Sequence, residues 1–217
     1  MFERGAVVML EFVADMKNKL GYMARELDLG GGYGVRYLDT DVQLDIDTKV
    51  SMVAEAAKRT AARLGISMPE IHMEPGRSIV ADAGMTLYTV GTVKQIPGYK
   101  NYVSVDGSMT DNPRFALYGA SYTCFIANRM DEQNDFEASL VGRCCESGDI
   151  IQENVMMPHT VGRYDIAAVC TTGAYNYSMA SNYNRLPRPP VVILKNGSES
   201  YVAVRRESFE DIVRNDM

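Results

Sequence analysis

Ile71-His72-Met73-Glu74-Pro75-Gly76-Arg77-Ser78 is the stretch from which the first part of this chain can be read. A short run of strand character ends in a Pro-Gly turn, which leaves a glutamate and an arginine at the strand's C-terminal end. Upstream, Glu26 to Leu29 repeats the arrangement and runs into Gly30-Gly31-Gly32. Before that strand, Met9, Val13, Met16, Leu20 and Met23 recur at steps of three and four, which predicts a helix over residues 3–24 with one buried stripe. A second helical stripe, Val50, Val53, Ala57, Thr60 and Leu64, separates the two strands. This alternation of helix and strand is the order of βα units that feed a parallel sheet or barrel. Both loops then fall at C-terminal strand ends, where such barrels hold their chemistry.

From about Met85 the pattern changes. Leu87 to Val93, Tyr102 to Val105, Tyr122 to Ile126 and Tyr164 to Thr171 are β-branched and aromatic runs separated by Gly, Pro and Asp, which predicts an all-β region. Val191 to Leu194 and Tyr201 to Val204 flank Asn196-Gly197, a hairpin signal because both residues accept positive φ. Ser208, with Asp211 three residues on, is placed to cap a last short helix packing through Phe209, Ile212 and Val213. No repeat or low-complexity linker is present.

Composition excludes several classes of function. A chain of 217 residues with 46% hydrophobic and 23% charged residues has the make-up of a globular protein. Its net charge of -6 gives no general pull toward nucleic acid or anionic membranes. The apolar run Ala6 to Leu10 is bracketed by Glu3, Arg4, Glu11 and Asp15, so neither a signal peptide nor a membrane span is expected, and a cytoplasmic location is. Cys124, Cys144, Cys145 and Cys170 lack CxxC spacing, and His72 and His159 lie far apart, so no metal site is expected.

Four motifs hold the candidate chemistry. Three successive glycines let backbone N–H groups approach a phosphate closely, although the same residues also suit a tight turn; a Rossmann turn fits less well because the GxGxxG spacing is missing. In Glu74-Pro75-Gly76-Arg77, the carboxylate can accept from a protonated ring nitrogen, Gly76 can offer an N–H, and Arg77 can fork onto a carboxylate or phosphate. Arg114 and Tyr118 stand four apart, so one helical turn puts both on the same face. Cys145-Glu146-Ser147-Gly148-Asp149 pairs a thiol, a competent proton donor to carbon, with a carboxylate suited to an ammonium group. Cys124, Cys144 and Cys170 are read as inert, buried thiols.

These motifs, together with Leu27 to Gly32 and Asp111 to Tyr118, resemble in their order the diaminopimelate decarboxylase family of pyridoxal-phosphate enzymes. The resemblance implies an α/β plus all-β fold: residues 1–84 as the last βα units of a TIM-type, alanine-racemase-like barrel, and residues 85–217 as a C-terminal β-sandwich of Greek-key type. Residues 175–186 are then expected to return toward the active site. It implies cofactor contacts from Gly31, Gly32, Glu74, Pro75, Gly76, Arg77 and Tyr175. Substrate contacts are implied for Arg77, Arg114, Tyr118, Glu146 and Tyr175, with Cys145 as the catalytic proton donor. It also implies a homodimer in which Cys145 and Glu146 serve the partner's active site, with no nucleic-acid or membrane partner. The family's cofactor lysine lies before the segment matched here, and none of Lys17, Lys19, Lys49, Lys58, Lys94, Lys100 and Lys195 stands in its context, so the chain by itself is expected to be inactive. Two alternatives remain at this point: an ornithine- or arginine-type decarboxylase of the same family, and a non-catalytic truncated product or pseudoenzyme.

Overall fold

The computed structural model describes residues 1–217, which divide into a unit of Met1–Arg36 with Val42–Ile79 and a unit of Tyr37–Asp41 with Val80–Met217. In the first, α1 (Phe2–Leu20) buries Ala6, Leu10, Val13 and Ala14. The expected stripe is therefore rotated: Val13 is buried, but Met9 and Leu20 face solvent. The helix also stops earlier than the predicted residue 24, because Gly21 takes the left-handed conformation that closes a helix C-terminus. Helix α2 (Ile46–Leu64) starts where the Asp45 side chain accepts from the Thr48 N–H, and it ends at left-handed Gly65. Strands β1 (Glu26–Asp28) and β2 (Glu70–His72) pair in parallel, with Leu27 opposite Ile71. Ala6, Leu10, Leu27, Val53 and Ala57 form this unit's core.

The short helix α3 (Gly76–Val80) follows Pro75, in a stretch that the sequence reading treats as loop. Strands β3 (Met85–Ile96), β4 (Lys100–Val105), β5 (Cys124–Ile126), β6 (Asn134–Val141), β7 (Ile150–Pro158) and β8 (Ile166–Cys170) build the second unit's main sheet, with α4 (Arg114–Tyr118) between β4 and β5. The strand order is β5-β8-β3-β4-β6-β7, parallel only between β4 and β6. The strands thus join into one continuous sheet, and its end strands β5 and β7 come into contact, so it curls nearly closed. Val90, Val103, Leu140, Ile151, Met157 and Val169 are among the side chains that fill it. Strands β6 and β7 escape the sequence reading because polar residues such as Asp135, Glu137 and Glu153 interrupt them and bulges shift their alternation.

Hairpin β9 (Val191–Lys195) and β10 (Glu199–Val204) turns at Asn196 and Gly197, with φ of 53° and 71°, as the dipeptide requires. Helix α5 (Phe209–Val213) opens with a full capping box between Ser208 and Asp211. Its expected apolar packing is not formed: Phe209 is 70% exposed and Val213 47%. A helix this short presents no complete stripe, and the cap and the Arg205–Asp211 ion pair stabilise it locally instead. No helix is long and apolar enough to cross a membrane.

Candidate active site

In the first unit the two signature loops are neighbours because β1 and β2 are parallel. The ladder continues past the strand ends, with the Leu29 N–H donating to the His72 carbonyl at 3.0 Å and the Glu74 N–H to the Gly30 carbonyl at 2.8 Å. A Cβ on Gly31 would sit 2.0 Å from the Glu74 carbonyl oxygen, so only glycine lets the loops meet. Gly30 and Gly32 have φ of +68° and +92°, conformations that also favour glycine. The Gly30 N–H donates to Asp28 Oδ1 at 2.7 Å, and the Gly76 N–H donates to the Glu74 carbonyl at 2.9 Å. Glu74 presents an exposed carboxylate at the end of β2. The lysines of this unit, Lys17, Lys19, Lys49 and Lys58, all stand on α1 or α2 and none on a strand. A cavity of 470 Å³ in this unit runs beside α1 and reaches Gly30 and Gly31, but Glu74 and Arg77 do not line it.

In the second unit α4 does what its spacing predicts. Arg114 and Tyr118 share a face, with the guanidinium carbon 5.6 Å from the Tyr118 ring centroid. Tyr175 and Tyr37 complete the surround at 5.8 and 5.9 Å, all within cation–π range. Arg114 is only 8% exposed, no carboxylate in the chain pairs with it, and its Nε is buried without a partner. Asn112, Asn176 and the Tyr122 hydroxyl are buried close by. Asn176 Nδ2 donates to Asn112 Oδ1 at 2.7 Å, leaving Asn112 Nδ2 and Asn176 Oδ1 without a close partner, while the Tyr122 hydroxyl lies beside Arg114 and Asn176 at longer reach. A buried cation beside several unsatisfied polar groups is costly in an isolated protein, and it suits a site that receives an anion. Tyr175 holds φ at 64°, a strained conformation for a tyrosine, at the edge of this cluster.

Cys145 and Glu146 do not join that cluster; their contacts run to Tyr183 and Asn184. Asn184 Oδ1 accepts from the Cys145 N–H at 2.7 Å, and the Tyr183 hydroxyl donates to Glu146 Oε2 at 3.3 Å. The Gly148 N–H donates to Glu146 Oε1 at 3.1 Å; with Tyr183 it lowers the carboxyl's pKa and keeps it ionised. Cys145 is the exposed thiol of the four. Burial pushes the Cys124 thiol up to about 12 and also raises Cys144 and Cys170. Preceding α4, Asp111 accepts from the Tyr88 hydroxyl at 2.6 Å and from the Ser108 N–H at 3.2 Å, and burial raises its pKa to about 6.

Tyr37, Asn112 and Tyr122 are contributors that motif reading passes over. Asn112 lies inside the quoted Asp111 to Tyr118 stretch, whereas nothing local in sequence marks Tyr37 as a neighbour of Arg114. No group of three or more His, Cys, Asp and Glu side chains is arranged to hold a metal ion.

The Glu74 carboxylate and the glycine cradle are the donor and acceptor types that a pyridine ring and its phosphate require, so the residues of this chain fit pyridoxal phosphate apart from the lysine. Residues 12–173 match the model of the pyridoxal-dependent decarboxylase, C-terminal sheet domain. The diaminopimelate decarboxylase of Bacillus subtilis is 48% identical over 203 residues, which cover 94% of this chain and 46% of that protein. The enzyme of the same name from Halalkalibacterium halodurans is 46% identical, covering 95% of this chain and 47% of the relative. A crystal structure of diaminopimelate decarboxylase from M. jannaschii in complex with L-lysine superposes with a TM-score of 0.87 at 29% identity, over 100% of this chain and 48% of that one. The chain therefore spans about half the length of the relatives it matches. With residues 12–173 matched by that model and its six-stranded sheet curled nearly closed, this chain belongs to the pyridoxal-dependent decarboxylases and contains their C-terminal sheet domain.

Proposed function

We propose that this chain is the C-terminal half of a diaminopimelate decarboxylase, which removes one carboxyl group of meso-2,6-diaminopimelate to give L-lysine and carbon dioxide. The observation that supports this most is the buried, carboxylate-free Arg114 in its tyrosine surround. The end of diaminopimelate that does not react carries one charge of each sign. Arg114, with Tyr118, grips its carboxylate, and the partner subunit's Glu146 takes its ammonium group. Ornithine lacks a distal carboxylate and would leave Arg114 buried and unpaired.

In this reading the first unit is the end of a (β/α)₈ barrel, completed by the half that its relatives have and this segment does not. Pyridoxal phosphate, when bound, supplies the sink for the electron pair left as carbon dioxide departs. Glu74 accepts from the ring nitrogen and keeps it protonated, while Gly31, Gly32 and Gly76 place backbone close to the phosphate, with Arg77 and Tyr175 beside cofactor and substrate. Cys145 donates the proton to the carbon that has lost its carboxyl group. The assembled enzyme is a homodimer in which Cys145 and Glu146 reach the partner's site.

The test joins the N-terminal half of the B. subtilis relative to this chain and follows carbon dioxide and product from meso-diaminopimelate, L-ornithine, L-lysine and L-arginine. The expected outcome is turnover of diaminopimelate, with L-lysine formed in equal amount. Preference for ornithine or arginine, or a folded, cofactor-loaded enzyme inert toward all four, would overturn it.

A further inference from the structure

The loop that bears Cys145 and Glu146 closes around a buried carboxylate to which its motif gives no obvious task. Asp149 is 4% exposed and pairs with no lysine or arginine. Its two oxygens instead take backbone hydrogens from two different loops: Oδ2 accepts from the Cys144 N–H at 2.6 Å and Oδ1 from the Met109 N–H at 2.6 Å. Its own backbone closes the turn, the Asp149 N–H donating to the Glu146 carbonyl at 3.2 Å and the Gly142 N–H to the Asp149 carbonyl at 2.9 Å. Gly142 makes the room, since a Cβ there would lie 2.3 Å from Oδ2 and 2.5 Å from Oδ1. The Arg143 N–H donates to the Gly107 carbonyl at 3.2 Å, tying the same two loops a second time.

We propose that Asp149 is the positioning residue of this site, a buried carboxylate that fixes the turn presenting Cys145 and Glu146 and locks it to the 107–111 loop that leads into Arg114. The roles of Cys145, Glu146 and Arg114 rest on the function proposed above, whereas the locking itself does not. A charged acceptor buried between two N–H donors holds them more firmly than a neutral one. Met109 precedes Arg114 by five residues, so the loop that extends Cys145 and Glu146 toward the partner's site is tied, through one side chain, to the segment that sets Arg114 in the chain's own site. Asparagine at 149 would keep the volume, lose the charge and turn an N–H₂ toward one of the two amides, leaving a donor facing a donor. Alanine at 142 would expel the carboxylate from the opposite side without touching it chemically.

The test uses this chain, with amide hydrogen exchange read by NMR and alkylation by iodoacetamide read by mass spectrometry. In the wild type, the Met109 and Cys144 amides are expected to be protected; exchange of either at the free-peptide rate overturns the proposal whether or not any variant folds. Asp149→Asn is expected to speed exchange at one or both of these amides by about tenfold or more and to speed labelling of Cys144, with far-UV circular dichroism unchanged. Gly142→Ala should reproduce that pattern. Unchanged exchange and labelling in a folded Asp149→Asn chain would overturn the proposal. In the enzyme joined to its N-terminal half, Asp149→Asn should lower kcat and raise KM for diaminopimelate, and add little to the loss already caused by Cys145→Ala. Full additivity there would show a merely structural residue. Altered exchange and labelling in a chain whose joined enzyme never acts on diaminopimelate would defeat the proposed function and leave the positioning role standing.

Discussion

The glycine loop of the first unit and the cysteine loop of the second both end a strand in a tight turn, and the two are held differently. The glycine loop is fixed by backbone alone: Gly31 lies against the Glu74 carbonyl, and two ladder bonds extend a parallel pair of three-residue strands. The outer edges of that pair carry no further strand, an arrangement of marginal stability by itself. The cysteine loop springs from a six-stranded sheet with a filled interior and is tied by side chains, Asp149 within and Asn184 from the 183–185 turn. The second unit thus holds its cysteine loop on a closed-in sheet with a filled interior, whereas the first holds its glycine loop on a single pair of short strands, which in the reading proposed above is completed by further barrel strands.

The largest effect that tests this contrast is chemical. In the joined enzyme, Cys145→Ala should cut kcat by about 10²–10⁴-fold with cofactor absorbance retained, and Cys144→Ala should do far less. The reverse ranking would mean that the exposed thiol is not the proton donor. Next comes packing. Leu140, 1% exposed in the sheet interior, should cost about 2–5 kcal/mol when changed to alanine, read as a lowered denaturation midpoint of the second unit. Leu10→Ala removes a side chain of the same size from the first unit, and should leave the second unit's transition where it was if the two units fold independently.

Arg114 sharpens the comparison because its prediction separates binding from stability. Arg114→Met removes a buried unpaired cation, so the isolated chain should hold its stability or gain up to about 1 kcal/mol. In the joined enzyme the same change should lower kcat/KM for diaminopimelate by roughly 1.5–3 kcal/mol equivalent. A loss of stability as large as the loss of kcat/KM would make Arg114 structural.

The smallest effect is a pH dependence. Asp111 has its pKa raised from 3.8 to about 6, chiefly by burial, so the folded state holds that proton more tightly than the unfolded state. Well below pH 3.8 the carboxyl is protonated in both states and costs nothing; between about pH 4 and 6 the unfolded chain releases the proton while the buried carboxyl keeps it, so stability falls and then levels off above 6, where both are ionised. Against Asp111→Asn, which does not titrate, the wild type should lose on the order of 1–2 kcal/mol between pH 4 and pH 7. A difference that stays flat over that range would show that Asp111 is not strained by burial.

Much of this was legible in sequence, wherever chemistry is local. The Asn196-Gly197 turn, the Ser208–Asp211 capping box and the shared face of Arg114 and Tyr118 each depend on residues within four positions of one another, and each forms as read. The α1 stripe differs from its sequence pattern because methionines at helical spacing mimic a buried face, whereas the small Ala6 and Ala14 face the core and Met9 does not. Strands β6 and β7 were hidden by polar residues and register shifts. Tyr37 reaches Arg114 from 77 positions away in the chain, and Asp149 reaches Met109 from 40, distances over which no periodicity speaks. The motif named the turn around Cys145, but only the fold shows what holds it.

Hydrogen exchange of this chain, alone and then with the N-terminal half of the B. subtilis relative added, tests the central contrast most directly. Alone, amides of β1 and β2 such as Leu27 and Ile71 should exchange at least about 100-fold faster than Val103 and Val169 in the sheet, and addition of the complementary half should protect the first group while leaving the second nearly unchanged. Equal protection of both groups in the chain alone, or no gain at Leu27 and Ile71 when the complementary half binds, would contradict it.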